Sequence, residues 1–192
     1  GLFAKSEKGT PQGGPLSPLL ANIYLNELDK ELTRRGHHFV RYADDCNIYV
    51  KSQRAGERVI KSITIFLEKQ LKVKVNPDKS KVGSPLRLKF LGFSLGVDRN
   101  GAYARPAKES QKRVKQALKQ ITKRNRGISI ARMCAEINRK MRGWLQYYSI
   151  GKLTGFVRRL DQWLRTRIRQ YIWKQWKKLK TKLTNLRRLG LS

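Results

Sequence analysis

Phe39-Val40-Arg41-Tyr42-Ala43-Asp44-Asp45-Cys46-Asn47-Ile48-Tyr49-Val50 decides how this chain is read. Two runs rich in aromatic and β-branched residues, 38–42 and 46–51, flank a compact acidic turn, and apolar and polar residues alternate along both. The stretch predicts a β-hairpin with Ala43-Asp44-Asp45 at its tip, since Asp tolerates turn conformations well.

Two adjacent aspartates are an odd choice for stability. They repel each other, and neighbouring side chains on a strand point to opposite faces. A divalent cation removes the repulsion. Mg²⁺ takes oxygen ligands, often one or two carboxylates plus substrate phosphates. In nucleotidyl transfer two such ions, about 3.5–4 Å apart, clamp the attacking and leaving oxygens. A hairpin tip suits this work: its strands hold the carboxylates rigidly while the tip stays open, and Ala43 leaves room beside it. The competing reading is an acidic surface turn, for which Asp is common.

On the amino-terminal side, Gly9-Thr10-Pro11-Gln12-Gly13-Gly14-Pro15 reads as a loop. A helix follows, with Ser17 as N-cap, Pro18 at the first helical position and Leu16, Leu19, Leu20, Ile23, Leu28 and Leu32 at helical spacing, ending by Gly36. On the other side the spacing predicts a helix over 55–71, with Val59, Ile63, Phe66 and Leu67 on one face. Strands over 72–75 and 87–95 come next, separated by the turn at Asn76-Pro77-Asp78. The order α-β-β-α-β-β gives an α+β layer, helices covering one face of a mainly antiparallel sheet. The remainder reads as helical throughout. Three helices carry Val114, Ala117, Leu118 and Ile121; then Ile130 to Tyr148; then a long run over 154–183, which makes a small bundle. Trp144 and Trp176 are the tryptophans expected in its core.

Charge divides the chain. Its 192 residues hold 44 Lys+Arg against 13 Asp+Glu, a net of +31. Residues 1–100 have 18 basic and 10 acidic side chains, whereas residues 101–192 have 26 and 3. A domain boundary is expected near the Asp98-Arg99-Asn100-Gly101 turn, giving domains 1–100 and 101–192. Self-repulsion of this size calls for a polyanion. With 39% hydrophobic residues the chain can still bury a core. No apolar run approaches the 18 residues or so of a membrane span, and no membrane partner is expected. Cys46 and Cys134 are too few for a zinc site and fit a reduced, intracellular protein.

The pairing of Gly9–Leu25 with Phe39–Asp45 resembles the palm of reverse transcriptases, in wording similar to the group II intron branch. Asn76-Pro77-Asp78-Lys79-Ser80-Lys81 and Phe90-Leu91-Gly92-Phe93 fall where that family has its next two palm blocks. The helical remainder resembles the family's thumb, called domain X in intron maturases, with Ile137-Asn138-Arg139-Lys140-Met141-Arg142-Gly143-Trp144-Leu145-Gln146-Tyr147-Tyr148 its most recognisable stretch.

The resemblance implies a partial palm followed by an all-α thumb of three helices. It makes Asp44 and Asp45 catalytic ligands of a two-metal Mg²⁺ site. It places Gln12, Gly13, Gly14, Ala43 and Lys79 around the incoming nucleotide and makes Leu91, Gly92 and Phe93 the primer grip; a core strand is the plain alternative for those three. The last helix brings Arg158, Arg159, Arg165, Arg167, Arg169, Lys174, Lys177 and Lys178, with Trp163, Tyr171, Trp173 and Trp176 interleaved. Cations bind phosphates and aromatics stack on unpaired bases, so this helix is expected to hold RNA. The implied partners are structured intron RNA, an RNA template with a DNA primer, and deoxynucleoside triphosphates. The implied setting is the bacterial cytoplasm, with an organellar origin left open.

In this family a third catalytic carboxylate lies upstream of the Pro-Gln-Gly segment, and Glu7 and Asp29 are poor substitutes for it. The expectation is that these residues alone do not synthesise DNA. Three functions stay open: an RNA-directed DNA polymerase coupled to splicing and mobility, a splicing-only maturase with a decayed polymerase, and a retron or diversity-generating reverse transcriptase. No His-and-Cys cluster of an endonuclease appendix is visible.

Overall fold

The computed structural model describes residues 14–190, and the chain parts into two compact units, Gly1–Ser84 and Pro85–Ser192. In the first, helix α1 (Ser17–Arg34) leads into strands β1 (His38–Tyr42) and β2 (Asp45–Tyr49), then helix α2 (Gln53–Lys69). The strands pair antiparallel, Phe39 opposite Ile48 and Arg41 opposite Cys46. This face meets both helices in a core of Leu28, Leu32, Ile63 and Leu71, with Phe39, Cys46, Ile48 and Phe66 packed against it. The other face leaves Val40 and Tyr42 exposed.

Local chemistry sets the helix ends. Leu16, not Ser17, is the N-cap of α1, with Pro18 in the first turn as expected. At the other end Gly36, at φ +70°, donates to Thr33, and His37 donates to Leu32. These two hydrogen bonds around a left-handed Gly36 make a Schellman cap. Ser52 caps α2 by accepting from the Ala55 amide at 3.2 Å. Only the second half of the expected α1 stripe is core; Leu16, Leu19, Leu20 and Ile23 are exposed.

The strand expected over 72–75 does not form. Lys72 is left-handed (φ 52°), and the Val73 amide is spent on the Leu67 carbonyl as α2 ends. Val73 and Val75 still face inward by alternation, but without a ladder.

The second unit opens with a three-stranded antiparallel sheet, β3 (Lys89–Phe90), β4 (Phe93–Asp98) and β5 (Gly101–Pro106). Here the strand expected over 87–95 turns back on itself at Leu91-Gly92. The turn from Asp98 to Gly101 closes the β4–β5 hairpin, with Asp98 opposite Gly101. The chain's second half is therefore not wholly helical.

Four helices follow, not three: α3 (Lys108–Ile121), α4 (Ile130–Tyr148), α5 (Thr154–Gln175) and α6 (Leu179–Arg188). The expected long third helix breaks at Trp176. Lys174, Lys177 and Lys178 would stack like charges at three- and four-residue spacing there, and Lys182 of α6 lies 4.7 Å from the Trp173 ring. The core holds Val114, Leu118, Met133, Ile137, Leu160 and Tyr171, with Trp144, Phe156 and Trp163 packed on it. Trp144 packs there as expected, whereas Trp176 lies outside that cluster and Leu179 and Leu183 are exposed.

Candidate functional site

Asp44 and Asp45 sit at the tip of the β1–β2 hairpin, both exposed. Tyr42 pairs with Asp45, so the loop proper is Ala43-Asp44. Ala43 has φ 53° while Asp44 stays on the negative side. A positive φ at that position usually falls to glycine. Seven of the described carboxylates sit in ion pairs. Asp44 and Asp45 do not, although the chain has 44 basic residues.

Behind the tip stands Arg41. Strand parity puts it on the face of Phe39, toward the helices, where a charge needs partners. Its Nε and Nη2 donate to the two oxygens of Asp29 on α1, at 2.8 and 2.6 Å. Nη1 donates to Asn22 Oδ1 at 3.0 Å and to the Ala43 carbonyl at 2.9 Å. The Asp29 carboxylate holds the Arg41 guanidinium above its ordinary range. Asp29 is thus fully engaged and not free to complete a metal site. Next to Asp45, burial above all, with the Asp29 charge, pushes the Cys46 thiol up to about 11 against an opposing effect of Arg41. At neutral pH it is a thiol and does not compete for a hard cation.

Among the described residues no group of three or more His, Cys, Asp or Glu side chains is placed to hold a metal. The two tip carboxylates fit the partial, oxygen-only donor set that Mg²⁺ accepts when substrate phosphates complete its shell.

The other expected site residues fall apart into several places. Gln12 and Gly13 lie outside the described residues; Gly14 is half-buried, its carbonyl accepting from Ser17. Lys79 is exposed in a turn that Asn76 closes by accepting from the Asp78 and Lys79 amides, at 3.0 and 3.3 Å. Leu91, Gly92 and Phe93 are half-buried against the helical unit. Leu91 accepts from Tyr147 Oη at 2.9 Å, Gly92 accepts from Ser110 Oγ and the Ala107 amide, and Phe93 packs on Tyr148 at 4.8 Å.

Of the expected RNA-binding cations, Arg158, Arg159, Arg169, Lys174, Lys177 and Lys178 are exposed. Arg165 is exposed too but paired with Asp161 at 2.8 Å. Arg167 is spent on structure, donating to Thr122 Oγ1, Thr122 O and Lys119 O at the end of α3. An open groove along α4, lined in part by Arg132, Arg139, Lys140, Trp144 and Tyr147, adds a second basic and aromatic surface. The groove draws on the 137–148 stretch already notable in the sequence, whereas Arg41 does not stand out there. For Arg41 the signal is nonetheless present, as an arginine at a buried strand parity.

Residues 3–95 match the reverse transcriptase (RNA-dependent DNA polymerase) family, and residues 111–190 match the group II intron, maturase-specific domain. The group II intron-encoded protein LtrA of Lactococcus lactis subsp. cremoris is 28% identical over 55% of this chain and 28% of its own length. Protein YkfC of Escherichia coli (strain K12) is 33% identical over 43% of this chain and 30% of its own. The chain thus spans less than a third of each of these relatives. Two successive matches, with the carboxylate hairpin inside the first and the basic helices inside the second, place this chain in the family of group II intron reverse transcriptase/maturases.

Proposed function

We propose that the chain supplies the palm hairpin and the thumb of an RNA-directed DNA polymerase that also holds its intron RNA for splicing and mobility. The observation carrying this reading is the pair Asp44-Asp45: exposed, adjacent, free of ion pairs, and fixed on a braced turn. When bound there, Mg²⁺ would neutralise the developing charge on primer and triphosphate oxygens. The chain's own part is to present two carboxylates at the tip, with Ala43 leaving space beside them and Tyr42 exposed next to it for packing under a primer end. Gln12, Gly13, Gly14 and Lys79 are proposed for the nucleotide, and Leu91 to Phe93 for the primer. The exposed cations of α5, with Lys177 and Lys178 just after it, serve intron RNA, Arg167 excepted, because its donors already cap α3.

The test uses the full-length protein in Mg²⁺-dependent primer extension. Asp44→Asn should lower the rate about a thousandfold, the kinetic equivalent of several kcal/mol of lost charge stabilisation. An unchanged rate would remove the polymerase reading. If the unaltered protein does not extend a primer yet promotes splicing, the splicing-only maturase takes its place. For RNA, replacing Lys174, Lys177 and Lys178 by Gln should flatten the salt dependence of intron RNA affinity by about one unit of slope for each phosphate no longer neutralised. Arg167→Gln should lower stability instead and leave that slope alone.

A further inference from the structure

Arg41 makes four hydrogen bonds with three of its nitrogens, and its side chain is only 11% exposed. Three of the bonds anchor it to α1, through both oxygens of Asp29 and through Asn22. The fourth goes to the Ala43 carbonyl, the oxygen of the peptide group that leads into Asp44. Ala43 is an L-residue with φ 53°, a conformation its Cβ disfavours. A turn of this kind persists only where its surroundings over-determine it. Cβ strain pushes Ala43 out of the left-handed region, and the Nη1 bond holds its peptide plane in place.

We propose that Arg41 is a positioning residue for the carboxylate tip. It ties the Ala43-Asp44 peptide to α1 and so fixes the direction in which Asp44 and Asp45 present their oxygens to a divalent cation. This rests on the reading of those two aspartates as metal ligands. The planar guanidinium is needed for it, because one rigid fork serves a bidentate carboxylate and a carbonyl on its far side together. A lysine ammonium, a compact point charge, cannot span both. Asn22 supports the fork from the exposed side, and the Asp29 carboxylate offsets the cost of burying the guanidinium.

The experiment compares the full-length protein with Arg41→Lys, Asn22→Ala and the double variant Arg41→Lys/Ala43→Gly. Arg41→Lys should raise the Mg²⁺ concentration for half-maximal primer extension about tenfold, the size expected when the support of a metal ligand is removed. The KM for primer–template should not move. Asn22→Ala, which keeps the buried pair and hence the fold, should shift the Mg²⁺ requirement less and in the same direction. Ala43→Gly in the Arg41→Lys background should bring it back toward the unaltered value, since glycine takes positive φ without strain. A merely structural role would not be rescued this way.

A readout without metal accompanies this. Amide NMR signals of residues 43–46 should be single in the unaltered chain, doubled or broadened in Arg41→Lys, and single again in the double variant. An unaltered protein whose extension needs Asp44, together with an Arg41→Lys variant of unchanged Mg²⁺ requirement, overturns the positioning role alone. Extension that does not need Asp44 overturns the underlying reading of the site, and this inference with it.

Discussion

Ala43 and Leu91 each open a two-residue turn between antiparallel strands, with φ of 53° and 50°. The two turns are held in different ways. At Ala43-Asp44 a single arginine takes the backbone oxygen, and the side chains at the tip are left free in solvent. At Leu91-Gly92 both residues are left-handed, as in a type I′ turn. There the helices take the backbone: Tyr147 and Ser110 donate to its carbonyls, and Tyr148 packs against Phe93. A Cβ on Gly92 would lie 2.6 Å from Tyr148 Oη and 3.2 Å from Ser110 Oγ. The first turn displays carboxylates, the pair proposed for a cation. The second is a fastening point, whose carbonyls are already committed to the helical unit. If Leu91 to Phe93 do meet a primer, they do so with their remaining surface and not with these oxygens.

Substitution should separate the two turns. The largest effect is on function without stability. Asp44→Asn, at an exposed site, should change folding free energy by no more than about 0.5 kcal/mol while nearly abolishing primer extension. Gly92→Ala should act on stability. Left-handed strain and the clash with Tyr148 together predict a destabilisation of about 2–4 kcal/mol. Thermal unfolding should show it as a fall in Tm of roughly 10 °C. The smallest effect is Ala43→Gly alone. Release of left-handed strain, about 1–2 kcal/mol, is opposed by the greater freedom of an unfolded glycine, about 0.4–1 kcal/mol. Chemical denaturation should then read a net gain near 0.5 kcal/mol. A clear decrease would mean that Ala43 is not strained and would remove half of the comparison.

The hairpin was legible in the sequence because its two signals agree. Alternation marks the strands and Asp marks the turn, but not the register: a tip of Ala43-Asp44-Asp45 would set Tyr42 opposite Cys46, whereas Tyr42 pairs with Asp45 and Phe39 with Ile48. The helices over 17–34, 53–69, 108–121 and 130–148 announced themselves by the spacing of their apolar residues. Residues 87–106 were misread because Leu91-Gly92 is flanked by phenylalanines that suit one continuous strand, and only the helices packed against the turn fix the reversal. In the same way residues 101–106 read as part of the helical remainder, yet β5 pairs with β4 along its whole length. Leu179 and Leu183 continue the apolar spacing of α5 in sequence. The break at Trp176, among crowded lysines, is something a periodicity count does not weigh. At the site, residue types pointed to Asp44 and Asp45, but the clamp joins Arg41 to residues 12 and 19 positions away. A linear reading pairs such residues only if it asks what a buried arginine must bond.

Whether the acidic turn takes a metal while the Leu91-Gly92 turn does not can be read in one Mg²⁺ titration of the chain, followed by the amide NMR signals of both turns. Saturable shifts are expected over residues 43–46 that vanish in Asp44→Asn, with the signals of Leu91 to Phe93 unmoved. Absence of shifts at the acidic turn, or the same shifts in Asp44→Asn, would contradict the assignment of Asp44 and Asp45 as metal ligands.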